Sequence, residues 1–393
     1  MTSLASPQGS CPPTTYTTEL NTTSLATHPP DLVAMDVAGR ADRVRAGGAT
    51  AGCDALLITN PISVGYLTGF TGSSGMVWLG PEELLLVTDR RYAEQAEAET
   101  SRAGVPARIE ITNDPPRDIL AAAAGGVGRI GLEATSVSWA HQRRYAEWFG
   151  AAELVATTGV VEHCRRIKDA GEIDRIARAA AIADAALAEV RPLLAGGPTE
   201  KEVALALDTA LRRRGASGSA FTTIVASGPN AALPHLRPTD RAIGRGELVI
   251  VDMGAVVDGY RSDMTRTLAV EAPDATACRV FETVRDAQRL GVEQVVPGRA
   301  VLEVDRACRN RIDAEGWADA FVHGTGHGVG LEIHEQPWIR STAAEPLQTG
   351  QVITVEPGIY LTGLCGARVE DTVVVTADGA RPLTNSPKTL EAV

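Results

Sequence analysis

Residues 248–270, LVIVDMGAVVDGYRSDMTRTLAV, constrain the fold of this chain more than any other stretch. Asp258-Gly259 is a favoured two-residue hairpin turn between two β-rich runs. With those two residues as the loop, Val257 pairs with Tyr260, Asp252 with Thr265 and Asp263 with Gly254. Strand side chains alternate between faces, so Asp252, Gly254, Asp263 and Thr265 share one face. The two aspartates are then diagonal neighbours, with Cα atoms roughly 7–8 Å apart, close enough for both carboxylates to meet one ion or a pair. Strand aspartates often simply face solvent. Both of these interrupt strongly apolar runs, however, where an uncompensated carboxylate is costly. A metal ion removes that cost.

A second cluster, HGTGHGVGLEIHE at residues 323–335, contains His323, His327 and His334. Three of the chain's seven histidines thus fall within twelve residues. The intervening glycines let the backbone approach a ligand closely. A single histidine is more often structural, but this density is better explained by a site. Glu356 in VITVEPG and Glu370 in ARVED are acidic residues set in β-branched sequence. Either alone reads as a surface carboxylate; together with the aspartates they exceed what one ion requires.

Elsewhere, residues 35–160 alternate β-rich runs (54–59, 83–88, 107–111 and 129–133) with helical patterns at 93–101 and 139–148, which predicts an α/β layer. Residues 60–70, NPISVGYLTGF, read as a structural strand and loop. Residues 160–194 read as one long helix or two in sequence, opening a second domain. Thr199 and Glu202 form a capping-box start for a further helix. Beyond it, strands near 222–226, 248–257, 260–270, 351–356 and 367–376, with helices near 278–293 and 302–314, give an α+β half. The expected boundaries are a disordered tail at 1–34, an α/β domain at 35–160 and a catalytic domain at 161–393.

The formal charge of −12 argues against a polyanion-binding protein. No run approaches the ~18 uncharged apolar residues of a membrane helix. Six scattered cysteines without a CxxC pair read as reduced thiols. The first thirty residues hold 17 Thr, Ser and Pro and one charged side chain, Glu19, too few apolar groups to offset the entropy of ordering. They also lack the basic start and apolar block of a secretory signal, which leaves the cytoplasm as the expected location.

The blocks VDMGAVVDGYRSDMTRT, HGTGHGVGLEIHE, VITVEPGIY and ARVEDTVVVT resemble, in order and spacing, the motifs of the pita-bread metallopeptidases that act at Xaa-Pro bonds, aminopeptidase P and prolidase. The resemblance runs over nearly all of residues 35–393. It implies an α+β architecture, a C-terminal pita-bread domain preceded by a creatinase-like α/β domain. It also implies a two-metal centre with ligands Asp252, Asp263, His327, Glu356 and Glu370, of which Asp263 and Glu370 bridge. His235, in ALPHLRPTD, with His323 and His334, matches the family's substrate-binding and proton-handling histidines, and Arg368 matches an arginine beside the last ligand. In relatives the first domain helps to form dimers, so a homodimer is expected.

Four carboxylates and one imidazole form an oxygen-rich shell that suits Mn²⁺, with Co²⁺ or Zn²⁺ as alternatives. Two such ions lower the pKa of a bridging water, and the hydroxide attacks a peptide carbonyl. Glu356 then shuttles the proton towards the leaving nitrogen, while His323 and His334 donate hydrogen bonds to the substrate. The implied activity is a manganese-dependent Xaa-Pro aminopeptidase acting on short proline-containing peptides, with an Xaa-Pro dipeptidase as the alternative. Prolidases often continue as His-Glu-Trp-Pro-Arg, where the arginine suits a free proline carboxylate. Here His334-Glu335-Gln336-Pro337-Trp338 lacks it, which tilts the expectation to the aminopeptidase and leaves Arg340 or Arg368 as substitutes. The complete ligand set argues against creatine-cleaving relatives and a non-enzymatic binding module. The extra domain argues against a methionine aminopeptidase.

Overall fold

The computed structural model describes residues 32–390, so the tail expected at 1–34 lies almost wholly outside the described residues. The first half builds one six-stranded sheet from β1 (Ala55–Ile58), β2 (Gly75–Leu79), β3 (Leu84–Thr88), β4 (Arg108–Ile111), β5 (Arg129–Glu133) and β6 (Glu153–Thr157), in the order β4-β3-β2-β1-β5-β6. Strand β2 runs antiparallel to its neighbours, and the other pairs are parallel. Helices cover both faces, so β1 and β3 are buried along their whole length and apolar except at Thr88. The period of two splits them between two cores: Leu56, Ile58, Leu84 and Leu86 enter one, and Ala55, Leu57, Leu85 and Val87 the other.

The expected strand and loop at 60–70 is instead a helix, Pro61–Thr68. The Asn60 side chain accepts from the Ile62 amide at 2.9 Å, Pro61 occupies the first turn, and Gly69 closes the end at φ 75°. These start and stop signals override the strand preference of Ile62, Val64 and Tyr66. The 160–194 segment breaks into helices Val160–Arg165 and Ala170–Val190, the second opened by an Asp169/Glu172 capping box. Thr199 and Glu202 cap the helix Glu200–Arg213 as expected.

The second half holds β7 (Gly218–Ser219), β8 (Ile224–Ser227), β9 (Leu248–Met253), β10 (Ala255–Val257), β11 (Tyr260–Arg261), β12 (Met264–Ala269), β13 (Gly326–Gly328), β14 (Glu335–Ile339), β15 (Val352–Val355), β16 (Gly358–Leu361), β17 (Cys365–Arg368), β18 (Asp371–Thr376) and β19 (Gly379–Pro382). These form sheets ordered β12-β9-β8, β11-β10-β7, β14-β13-β15-β18-β19 and β16-β17. The long hairpin has the anticipated register, Val257 opposite Tyr260 and Asp252 opposite Thr265. Its turn takes positive φ at both Asp258 (47°) and Gly259 (83°), the geometry of a type I′ turn.

Alternation aims the functional side chains. On β9, Val249, Val251 and Met253 pack under helices Ala170–Val190 and Glu200–Arg213, which leaves Ile250 and Asp252 on the opposite face. On β15 and β18, Ile353, Val355, Val373 and Val375 pack under helices Ala275–Glu293 and Val301–Asp313. Thr354 and Thr372 therefore face away from that core, and so do Glu356 and Glu370 one step beyond each strand in the same phase. The single strand expected at 367–376 is two, because the chain leaves β17 so that the Glu370 amide donates to the Thr265 carbonyl at 3.1 Å.

Candidate metal centre

Asp252 lies on β9, Asp263 just before β12, His327 in the middle of β13, Glu356 after β15 and Glu370 between β17 and β18. Donor atoms of Asp252, Asp263 and Glu370 come within 4.8 Å of one another. His327 Nε2 adjoins this trio, 3.6 Å from Asp263 Oδ2 and 3.3 Å from Glu356 Oε1. The Gly328 carbonyl oxygen lies 2.9 Å from His327 Nδ1 and can only accept, so a proton sits on Nδ1; Nε2 carries a second proton when it pairs with the Glu356 carboxylate and presents its lone pair to a cation once that proton is lost. Thr354 locks two of these groups, accepting from the His327 amide at 3.0 Å and donating to Glu356 Oε1 at 3.1 Å.

Glycine makes this closeness possible. A Cβ on Gly326 would stand 2.1 Å from the Thr354 carbonyl oxygen, and one on Gly254 only 1.9 Å from that of Ser262. Both approaches exclude any side chain.

Arg368 organises the opposite wall. Its Nη2 donates to Asp252 Oδ2 at 2.7 Å, its Nε to Thr265 Oγ1 at 3.1 Å, and its Nη1 to the Tyr360 hydroxyl at 2.9 Å and the Pro234 carbonyl at 3.2 Å. Thr265 in turn donates to Glu370 Oε2 at 2.7 Å. Tyr360, already accepting from Arg368, donates to His323 Nε2 at 2.8 Å, while His323 Nδ1 donates to the Gly324 carbonyl at 2.8 Å. Burial lowers the pKa of His323, which stays neutral with both ring nitrogens engaged. It therefore holds no free donor for a substrate, contrary to the role expected of it. His235 and His334 make no hydrogen bond to other described residues. The His334 ring stands edge-on to His327, centroids 4.5 Å apart.

Burial drives the pKa of Asp252 upward, and it drives those of Asp263 and Glu370 well up, reinforced by the neighbouring carboxylates. Glu356 goes the other way: against burial, its hydrogen bond and charge contact with His327 hold it low. Two carboxylate oxygens, Asp252 Oδ1 and Glu370 Oε1, are buried without any hydrogen-bond partner. Four carboxylates facing one buried arginine, with two orphaned oxygens and an imidazole nitrogen aimed inward, fit divalent cations bound by oxygen and nitrogen. All nine residues singled out in the sequence line one cavity of about 400 Å³: His235, Asp252, Asp263, His323, His327, His334, Glu356, Arg368 and Glu370. Phe221, Ile224, Ile333 and Trp338 add an apolar wall.

Residues 174–377 match the description "Metallopeptidase family M24", and residues 40–167 match "Creatinase/Prolidase N-terminal domain". The chain belongs to metallopeptidase family M24. Its fold is accordingly a creatinase-type N-terminal domain followed by the pita-bread domain. Among relatives of this M24 chain, the Xaa-Pro dipeptidase of Pyrococcus furiosus is 35% identical over 339 residues, covering 86% of this chain and 95% of that one. The structure of an Xaa-Pro dipeptidase from Bacillus anthracis superposes with TM-score 0.88 at 36% identity, covering 91% of this chain and 100% of its own. An X-Pro aminopeptidase from Thermotoga maritima gives TM-score 0.82 at 34% identity over 88% of this chain and 100% of that one.

Several residues that complete the site escaped the sequence reading. Tyr360 links Arg368 to His323. Thr354 carried a signal, since it shares the strand phase of Glu356. Arg237 lines the cavity, two residues beyond His235. Arg340, considered for a substrate carboxylate, is exposed and forms no part of the cavity wall. Among the described residues no helix is long and apolar enough to cross a membrane.

Proposed function

We propose that this M24 chain hydrolyses the bond between a residue and proline, with Xaa-Pro dipeptides as its preferred substrates. In this reading Asp252, Asp263, His327, Glu356 and Glu370 would hold two divalent ions, Mn²⁺ foremost. Support comes chiefly from the five converging donors, two of them with orphaned buried oxygens. Ions bound there supply Lewis-acid charge for the carbonyl and an acidified water.

The chain's own groups do the rest. Arg368 fixes Asp252, and through Thr265 it fixes Glu370. The Glu356 carboxylate takes up the proton lost by the attacking water and returns it to the proline nitrogen as the C–N bond breaks. Neutral His323 serves as a wall held by Tyr360, while His334 and His235, without hydrogen bonds to other described residues, face the substrate. Proline's nitrogen carries no N–H, so recognition rests on its ring rather than on backbone pairing. Phe221, Ile224, Ile333 and Trp338 provide the apolar surface for that ring.

The sequence departure after His334 pointed to an aminopeptidase. Similarity to proteins named Xaa-Pro dipeptidase favours the dipeptide instead. The aminopeptidase is the second reading, supported by the likeness to the Thermotoga enzyme. Metal-free protein reloaded with Mn²⁺ should cleave Ala-Pro faster than Ala-Pro-Ala. Faster release of alanine from the tripeptide would reinstate the aminopeptidase, and inertness towards both would overturn the Xaa-Pro reading. The same reading has the division of labour fall near residue 160 and the enzyme act as a cytoplasmic homodimer. A monomeric mass by light scattering would remove the dimer from it.

A further inference from the structure

Two arginines line the catalytic cavity, and they differ in what they hold. Arg368 is buried and spends its guanidinium on Asp252, Thr265, Tyr360 and Pro234. Arg237 is exposed, and its side chain makes one hydrogen bond, from Nη1 to the Thr222 carbonyl at 3.3 Å. No described carboxylate lies within ion-pairing distance of it. Thr222 lines the same cavity, so the bond holds the guanidinium along the cavity wall. Most donors of its planar fork are left for a ligand, and that fork matches a carboxylate.

An Xaa-Pro substrate brings such a group to this place. The carboxyl carbon of proline lies two bonds, roughly 2.5 Å, from the scissile nitrogen. In a dipeptide that carbon carries a full negative charge; in a longer peptide it is an uncharged amide. A cation that reads the difference must share the cavity with the reacting bond and must not already be paired. Arg340 fails the first condition and Arg368 the second. Four carboxylates in the same cavity would otherwise disfavour an anionic substrate terminus, which makes a free cation there more consequential.

We propose that Arg237 is a specificity-determining residue that binds the free carboxylate of proline and so selects Xaa-Pro dipeptides over peptides extended beyond proline. The assignment rests on the Xaa-Pro reading above. The test compares kcat and KM of the Mn²⁺-reloaded enzyme for Ala-Pro and for its C-terminal amide, Ala-Pro-NH₂. Wild-type protein should prefer the free acid by about ten- to a hundredfold in kcat/KM, the range expected for a charge-assisted contact. Arg237→Gln should collapse that ratio towards one, mainly by raising KM for Ala-Pro, and Arg237→Lys should keep part of it. A wild-type ratio near one, a ratio unchanged by Arg237→Gln, or an equal loss on both substrates would overturn the assignment. Failure of wild-type protein to cleave either compound would overturn the Xaa-Pro reading and this assignment with it.

Discussion

Arg368 Nη2 donates to Asp252 Oδ2 at 2.7 Å and leaves the other oxygen of that carboxylate, Oδ1, buried and unpartnered. One oxygen is anchored by the protein and its twin is held ready for a cation. Thr265 treats Glu370 in the same way, donating to Oε2 while Oε1 stays orphaned. Because Arg368 also holds Thr265, both anchors trace to one guanidinium.

This arrangement predicts a strong effect for a charge-conserving change. Arg368→Lys keeps one positive charge but cannot reach Asp252, Thr265, Tyr360 and the Pro234 carbonyl at once. Metal affinity and turnover of Ala-Pro should each fall by about 10- to 100-fold, the usual cost of removing an outer-shell partner of metal ligands. Calorimetric Mn²⁺ titration and initial rates would measure both, and wild-type values for the lysine variant would exclude the anchoring role.

Metal removal should expose the repulsion stored among the ligands. Burial and neighbouring carboxylates raise the folded-state pKa values of Asp263 and Glu370 well above 3.8 and 4.5. A raised carboxylate pKa means that the folded state binds more protons than the unfolded state, so stability falls as pH rises. In metal-free protein this loss begins near pH 4 to 5, at the unfolded values, and continues up to the raised folded ones. Bound metal reverses the preference, because it requires both groups ionised. Asp263→Asn should therefore stabilise metal-free protein at pH 7, flatten its pH dependence and abolish stabilisation by Mn²⁺. Thermal melts with and without chelator decide this, and a metal-free variant less stable than wild type would contradict it.

The parts of this centre legible in sequence are those set by local chemistry. Asp258-Gly259 dictates the turn, the turn dictates the register, and the period of two then places Asp252 and Asp263 on one face. Capping residues did the same for Thr199 and Glu202. Asn60-Pro61 carried an equally good helix start, but the β-branched and aromatic residues after it outweighed that signal in the reading. Tyr360 and Arg237 were beyond reach for a different reason. Tyr360 meets His323 across 37 positions of chain, and Arg237 reaches the cavity through its bond to Thr222, so their surroundings depend on packing of distant segments. For the same reason, an arginine near the last histidine in sequence, Arg340, was a poor guide to the cation nearest the substrate in space.

A buried ion cluster ties the strand after His334 to the helix that closes the first half of the chain. Glu335 follows His334 directly and is buried against two cations, Arg165 at the end of the helix Val160–Arg165 and Lys168 just beyond it, the latter at 3.0 Å. Burial alone would raise its pKa, but Lys168 and Arg165 outweigh that and hold it at about 2, below the ordinary 4.5. A depressed carboxylate pKa contributes stability that is fully present above pH 4.5 and lost as pH falls towards 2; that shift amounts to about 3 kcal/mol. Glu335→Gln leaves Lys168 buried without its anion and Arg165 with Glu332 alone, at 2.9 Å, and should cost about 3 kcal/mol near neutral pH. As pH drops through the window, wild-type Glu335 becomes protonated and the stability gap to the variant should close. Denaturant unfolding of both proteins between pH 7 and 3 would show this convergence; a gap independent of pH would mean that the loss comes from packing rather than from charge.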